Sequence, residues 1–402
     1  MTDRFGAFDK GLWLPDEPMA ENDLTSGHHV LFDGPFTFPV MVARRTALDA
    51  NIATMAHYAH RHGVRFAPHG KTSMSPKLFA AQLDAGAWGI TVATANQALA
   101  AWRFGVPRVF LANQLHDPRV LRWLAEKVGG GWESVFYVDS AEGVATAAEA
   151  LAGTPGARLD VVVELGRAGG RTGCRSVAGA VEVARAAADS GLTVRGVAGY
   201  EGGLENAEAV AAWLRGLAAA GDAVAEAVQV RGRPIVSAGG SAWFDVVIDV
   251  LGPLTARRDV VLRSGAYVSH DDGFYSRVTP FGRRPEEGAL VGALEVWAHV
   301  QSVPEPGLAV LGAGRRDVPF DLGLPVPLEV RAADGTLRPA SGMSVVRVDD
   351  QHAYAETNRV AVRPGELVRL GVSHPCTAFD KWRVIPVVDD GYRVVDVLRT
   401  YF

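Results

Sequence analysis

The sequence predicts an α/β chain: a (β/α)8 barrel of the TIM type followed by a mainly antiparallel β domain. Three observations predict it. Short apolar, β-branched runs alternate with alanine-rich helical stretches through the first two thirds of the chain. Eight such runs recur at spacings of roughly 20 to 40 residues, and one βα unit takes about 30. From about residue 280 the helical period stops, and alternating runs broken by Gly, Pro and Asp take over. Eight βα units in succession suit a closed parallel barrel; a doubly wound open sheet is the alternative that counting leaves.

Taken in order, residues 1–44 are irregular, because Pro15, Pro18, Pro35 and Pro39 break any long element. Residues 38–42 read as a short strand and 51–61 as a helix. The eight barrel runs are 64–67, 89–93, 108–112, 134–138, 159–165, 194–199, 234–237 and 259–263. Helical stretches at 76–85, 95–104, 119–127, 141–151, 177–188, 207–227 and 242–251 follow the runs. Asp117-Pro118 and Ser140 carry helix-start chemistry. A polar link at 283–287 closes this texture, so the barrel is expected over 45–278 and the β domain over 1–44 and 279–402. In the latter, runs at 292–300, 308–311, 327–330, 343–348, 352–356, 367–372 and 392–397 read as strands.

Bulk properties exclude several classes. With 402 residues, 48% of them apolar, the chain can bury a large core. A net charge of −5 offers no basic field, so no nucleic-acid partner is expected. The two cysteines, Cys174 and Cys376, fit a reducing compartment. The first 21 residues scatter Asp, Glu and Lys without an apolar core, which predicts no secretory signal. No apolar run reaches membrane-spanning length. A soluble cytoplasmic protein is expected.

In a barrel, reactive side chains gather at the C-terminal ends of the strands. The first run leads into Pro68-His69-Gly70-Lys71-Thr72, in a chain with only four other lysines. An amine kept at a strand end is a candidate for Schiff-base chemistry, since burying a charged one is costly. The seventh run leads into Ser237-Ala238-Gly239-Gly240-Ser241. Glycines at a strand-to-helix turn let backbone amides face an anion, and Ser237 and Ser241 can donate to it. A lysine joined to an anion cradle suits pyridoxal phosphate, which needs one for its aldehyde and the other for its phosphate. The fifth run continues into Gly166–Gly173, whose glycine spacing is not a dinucleotide fingerprint; Arg171 there can face the barrel mouth.

Far downstream stands Gly371-Val372-Ser373-His374-Pro375-Cys376-Thr377. In an extended chain His374 and Cys376 face one side. Imidazole and thiolate suit Zn²⁺, and two protein ligands with open positions would make a catalytic site. Asp271 and Asp272 beside His270 could add a ligand, or could form an ordinary Asp-Asp-Gly turn. Cys174 reads as a core thiol, and His57, His60 and His62 as polar residues of the first helix.

These motifs together resemble the fold-type III, alanine-racemase-like pyridoxal phosphate enzymes, and within them the D-serine dehydratase and D-threonine aldolase group. The likeness runs from about Phe38 to Phe402. It implies that Lys71 is the Schiff-base lysine and that Ser237, Gly239, Gly240 and Ser241 form the phosphate loop. It also implies that Arg171 and Tyr200 lie near the cofactor ring, and that His374 and Cys376 hold Zn²⁺ or another divalent metal such as Mn²⁺. The aldolases of the group have His-x-Asp at the metal and the dehydratases His-x-Cys, so Cys376 points to a dehydratase of 3-hydroxy-D-amino acids, with D-serine the simplest substrate. A homodimer with shared active sites is implied as well. The rivals are an aldolase with the same cofactors, a metal-free racemase and a non-catalytic cofactor carrier.

Overall fold

Eight strands form one parallel sheet in a computed structural model that describes residues 4–26, 28–153 and 156–402. They are Arg65–Phe66, Ile90–Val92, Arg108–Gln114, Glu133–Val138, Asp160–Leu165, Thr193–Gly199, Ile235–Ser237 and Asp259–Leu262. Each strand lies beside its neighbours in sequence, and the eighth pairs back onto the first through Leu262 and Phe66. The ring closes between the first two: Trp88 N–H donates to Phe66 O at 2.6 Å, Thr91 N–H to Pro68 O at 2.9 Å, and His69 bridges Thr91. All eight expected runs are therefore strands of a closed barrel.

The sequence dictates this locally. Asp160–Leu165 is buried at every position, as a strand covered on both faces must be. Phe110, Tyr137, Val162, Ala198, Ile235 and Val261 meet inside the ring. Each large apolar side chain so buried contributes roughly 1.5–3 kcal/mol. Helix starts follow the expected chemistry. Asp117 accepts from Arg119 N–H with Pro118 at the first position, and Ser140, Ser176 and Asn206 accept from Gly143, Gly179 and Ala209. The longest helix, Ala207–Ala227, buries Val210, Leu214, Leu217, Gly221 and Val224, one stripe at helical spacing.

The chain divides into two compact units. Met55–Lys71 and Phe79–Gly265 make the barrel unit; Met1–Thr54, Thr72–Leu78 and Ala266–Phe402 make the β unit. In the β unit seven strands follow one another across the sheet: Leu337–Pro339, Val326–Arg331, Leu367–Gly371, Leu294–Glu305, Leu308–Leu311, Ala353–Glu356 and Ser344–Val348. Val40–Arg44 pairs antiparallel with Leu294–Glu305 and parallel with Val384–Val388, which pairs in turn with Val394–Arg399. Trp297, Val40, Val42, Val388 and Val397 share its core. Among the described residues, no helix is long and apolar enough to cross a membrane.

Candidate active site

Lys71 lies in the one-turn helix Gly70–Thr72 that follows the first barrel strand. That turn packs so closely that a Cβ on Gly70 would stand 2.5 Å from Phe79 Cζ and 2.9 Å from Ile90 Cγ2. Glycine is the residue that admits this approach. The expected cost of burying the amine does not arise, because Lys71 is exposed at the rim. His69 precedes it, and its ring is held neutral. Burial lowers its pKa well below the usual range, and the charges of Lys71, Arg263 and Arg171 lower it further.

The other strand ends converge on the same rim. Gln114 Nε2 donates to Glu164 Oε2 at 2.7 Å, and Asp139 accepts from Gly173 N–H at 2.8 Å. The Arg171 guanidinium lies 4.8 Å from the centre of the Tyr200 ring, a cation–π pair. Both line a cavity of about 210 Å³ with Glu164, Gly166 and Thr172. The loop that presents Arg171 is stapled by Arg175, which donates to the carbonyls of Gly170, Arg171, Thr172 and Gly173. Arg263, buried at the end of the eighth strand, donates to Gly199 O at 2.5 Å and to the Tyr137 hydroxyl.

The seventh-strand loop is built around a buried acidic side chain. Gly239 has φ +106°, and a Cβ there would lie 2.7 Å from Leu262 Cδ2. The Gly239 and Gly240 amides both donate to the buried Glu201 carboxylate, at 3.1 and 2.5 Å. Ser264 Oγ donates to the Gly239 and Gly240 carbonyls. Ser237 Oγ instead donates to Val261 O at 2.8 Å inside the sheet, so its hydroxyl hydrogen is directed at the eighth strand. Ser241 stands in the turn before the helix Phe244–Leu251.

In the β unit, strand Leu367–Gly371 runs into His374 and then the one-turn helix Pro375–Thr377. The chain is extended at His374 but turns at once, so the pair is presented by a turn rather than by a straight strand. His374 is buried, with the ring centres of Phe274 and Tyr275 6.4 and 5.8 Å away. Burial alone would lower its pKa. The hydrogen bond and charge of Cys376, followed by those of Asp321, outweigh burial and raise it to about 9. Asp321 Oδ2 lies 2.8 Å from His374 Nδ1, a partner that no local pattern announced. Thr72 Oγ1 lies 3.7 Å from Cys376 Sγ.

The turn reading holds for Asp271: its carboxylate accepts from the amides of Gly273, Tyr275 and Ser276. Among the described residues, no group of three or more His, Cys, Asp or Glu side chains is arranged to hold a metal. Cys174 is a buried thiol whose pKa is pushed up to about 11, by burial first and the Asp139 charge second.

Comparison with known proteins places the fold. Residues 44–245, half of the chain, match the family model of the alanine racemase N-terminal domain, and residues 293–388 match the putative serine dehydratase domain. The chain belongs to the fold-type III, alanine-racemase-like pyridoxal phosphate enzymes. Among its relatives is a 3-hydroxy-D-aspartate aldolase of Paracoccus denitrificans, 27% identical over 87% of this chain and 90% of that one. A D-threo-3-hydroxyaspartate dehydratase of Delftia sp. is 28% identical over 63% of this chain and 70% of its own. The crystal structure of a D-threonine aldolase from Filomicrobium marinum shares the fold, with a TM-score of 0.75 and 24% identity over 91% of this chain and 95% of that one. Like those relatives, this member of the fold-type III family is a pyridoxal-phosphate-dependent lyase.

The residues fit the cofactor. A Cβ on Gly239 would strike Leu262 and one on Gly240 would strike Tyr200, and the two consecutive amides converge on the Glu201 carboxyl group. A loop so arranged favours a negative group, as the cofactor's phosphate is. Lys71 supplies the exposed amine, and the Arg171–Tyr200 pair supplies a flat, cationic wall beside a cavity.

Proposed function

We propose that the protein is a pyridoxal phosphate- and divalent-metal-dependent dehydratase that converts a 3-hydroxy-D-amino acid, D-serine being the simplest, to a 2-oxo acid and ammonia. The observation that carries this reading is the His374–Cys376 pair, an imidazole and a thiol two residues apart on one turn, in a chain that also presents Lys71 at a barrel rim. The named relatives include aldolases as well as a dehydratase, so the choice between them rests on Cys376. Zn²⁺ is the metal favoured by that donor pair.

Bound pyridoxal phosphate supplies an aldehyde for the substrate amine and a ring that accepts the electron pair left at Cα. A divalent metal supplies a Lewis acid for the β-hydroxyl, a poor leaving group on its own. The chain does the rest. Lys71 would carry the cofactor at rest and, once its amine is released, take the Cα proton. Gly239, Gly240 and Ser241 would seat the phosphate, which would take the place of the Glu201 carboxyl group at the two glycine amides, and Arg171 and Tyr200 would flank the ring. His374 and Cys376 would hold the metal with positions left for water or substrate. A homodimer and a reducing, cytoplasmic setting belong to the same reading; two free thiols accord with the latter.

The test is product analysis. The protein, loaded with pyridoxal phosphate and Zn²⁺ or Mn²⁺, is offered D-serine, D-threonine, 3-hydroxy-D-aspartate and D-phenylserine. Ammonia and a 2-oxo acid in equal amounts are expected from at least one. Glycine and an aldehyde as the products would overturn elimination in favour of retro-aldol cleavage.

A further inference from the structure

His374 has two ring nitrogens, and one is already committed. Its Nδ1 lies 2.8 Å from Asp321 Oδ2, and a carboxylate can only accept there. Nδ1 therefore carries a hydrogen, and Nε2 is the nitrogen whose lone pair a cation can take. The second Asp321 oxygen is committed too: Oδ1 accepts from Thr377 Oγ1 at 2.8 Å. One carboxylate thus grips the turn Pro375–Thr377 at both sides of Cys376.

The segment that bears Asp321 is itself tied down. Ser373, the residue before His374, donates through Oγ to Gly323 O at 2.7 Å and to Pro319 O at 3.3 Å. These carbonyls lie two residues either side of Asp321. The carboxylate is consequently aimed by backbone contacts, although its side chain is 42% exposed. An exposed ion pair of that kind does little for stability. Its value would lie in orientation. A ring free to rotate, or to keep its hydrogen on Nε2, offers a metal no lone pair in the needed direction.

We propose that Asp321 is the positioning residue of the metal site. It selects Nε2 of His374 as the metal nitrogen and, through Thr377, fixes the turn that carries Cys376. The inference rests on the reading of His374 and Cys376 as the metal pair. Both of its oxygens are engaged within the protein, which assigns Asp321 to orientation and leaves ligation to His374 and Cys376.

The experiment uses the cofactor-loaded protein, stripped of metal, with Zn²⁺ titrated against a competing chromophoric chelator. Wild type is expected to bind one Zn²⁺ per chain. Asp321→Ala is expected to weaken binding about 10–100-fold, the range for a lost carboxylate behind a metal-bound histidine. Cofactor absorbance and the melting temperature of the metal-free protein should stay unchanged. Thr377→Val, which removes only the second hydrogen bond, is expected to weaken Zn²⁺ by a smaller factor. It also carries the test if Asp321→Ala does not fold. Co²⁺ in place of Zn²⁺ reports the ligand set: its d–d spectrum should be the same in wild type and Asp321→Ala. Stoichiometric wild-type binding with unchanged affinity in both variants would overturn the positioning role. An altered Co²⁺ spectrum would overturn it in favour of direct ligation. No Zn²⁺ on wild type would instead overturn the metal pair itself.

Discussion

Asp272 shows how closely acidic groups are packed behind the candidate metal turn. A Cβ on Gly371 would stand 2.3 Å from its Oδ2, and one on Gly292 2.7 Å away, so two glycines make room for one carboxylate. Burial, then the charges of Asp271 and Glu295, push its pKa up to about 6. An unfolded aspartate titrates near ~3.9. Between those values folding takes up a proton, so stability falls as pH rises through the window and levels off above about 6. Two pKa units correspond to a loss of roughly 2–3 kcal/mol. Asp272→Asn keeps the shape and removes the titration. It is expected to be more stable than wild type at pH 8 by up to about that amount, with the difference closing toward pH 4. Urea unfolding across that range checks it; a constant difference at all pH values would show that packing, not charge, separates the two proteins.

At the scale of elements, the barrel depends on one backbone position that no side chain can occupy. Gly196 lies within strand Thr193–Gly199 with φ +137°, directly after Arg195, the extra residue where the register shifts against Val161 and Val162. A Cβ there would meet Ile235 O at 2.1 Å, and that carbonyl belongs to the neighbouring strand and cannot move alone. Gly196→Ala is expected to cost on the order of 3 kcal/mol or more, combining an unfavourable φ with overpacking. Thermal unfolding measures it, and a melting temperature near wild type would show that the sheet can open there. Such a glycine is not legible from the chain, where it is one of 45. The strands around it were legible, because two covered faces demand unbroken apolar runs. In the β unit the reading slipped where partners decide. The expected strand 38–42 is Val40–Arg44, and it passes without a linker into helix Arg45–Arg61, so no turn residue marked a helix start at 45 rather than 51. Val384–Val388 went unread because Pro386 interrupts it; Val40–Arg44 and Val394–Arg399 supply its pairing. Lys71, Arg171 and Tyr200 could be placed from strand ends alone. Asp321 could not, standing 53 residues before His374 and meeting it only in the fold.

At the scale of the whole molecule, the residues assigned to the two cofactors belong to different compact units. Lys71, Arg171, Tyr200 and the loop 237–241 fall in the barrel unit; His374, Cys376 and Asp321 fall in the β unit. One of the four places where the chain passes from one to the other is the bond between Lys71 and Thr72. The segment Thr72–Leu78 is anchored within the β unit. Lys77 Nζ pairs with Glu21 at 2.6 Å and Asp396 at 2.5 Å, and Tyr401 N–H donates to Met74 O at 3.1 Å. None of those anchors needs a metal. On the proposed reading, stripping the metal should therefore leave the barrel's cofactor in place while removing the Lewis acid for the β-hydroxyl. Exhaustive chelation is expected to abolish release of the 2-oxo acid while the visible absorbance of the lysine-bound cofactor persists, and added Zn²⁺ or Mn²⁺ should restore turnover. Lys71→Ala should do the converse, losing that absorbance while still binding Zn²⁺ one to one. Cofactor release on chelation would mean that the metal holds the lysine loop as well as the substrate. Full activity after chelation would remove the metal from the reaction and favour a metal-free lyase.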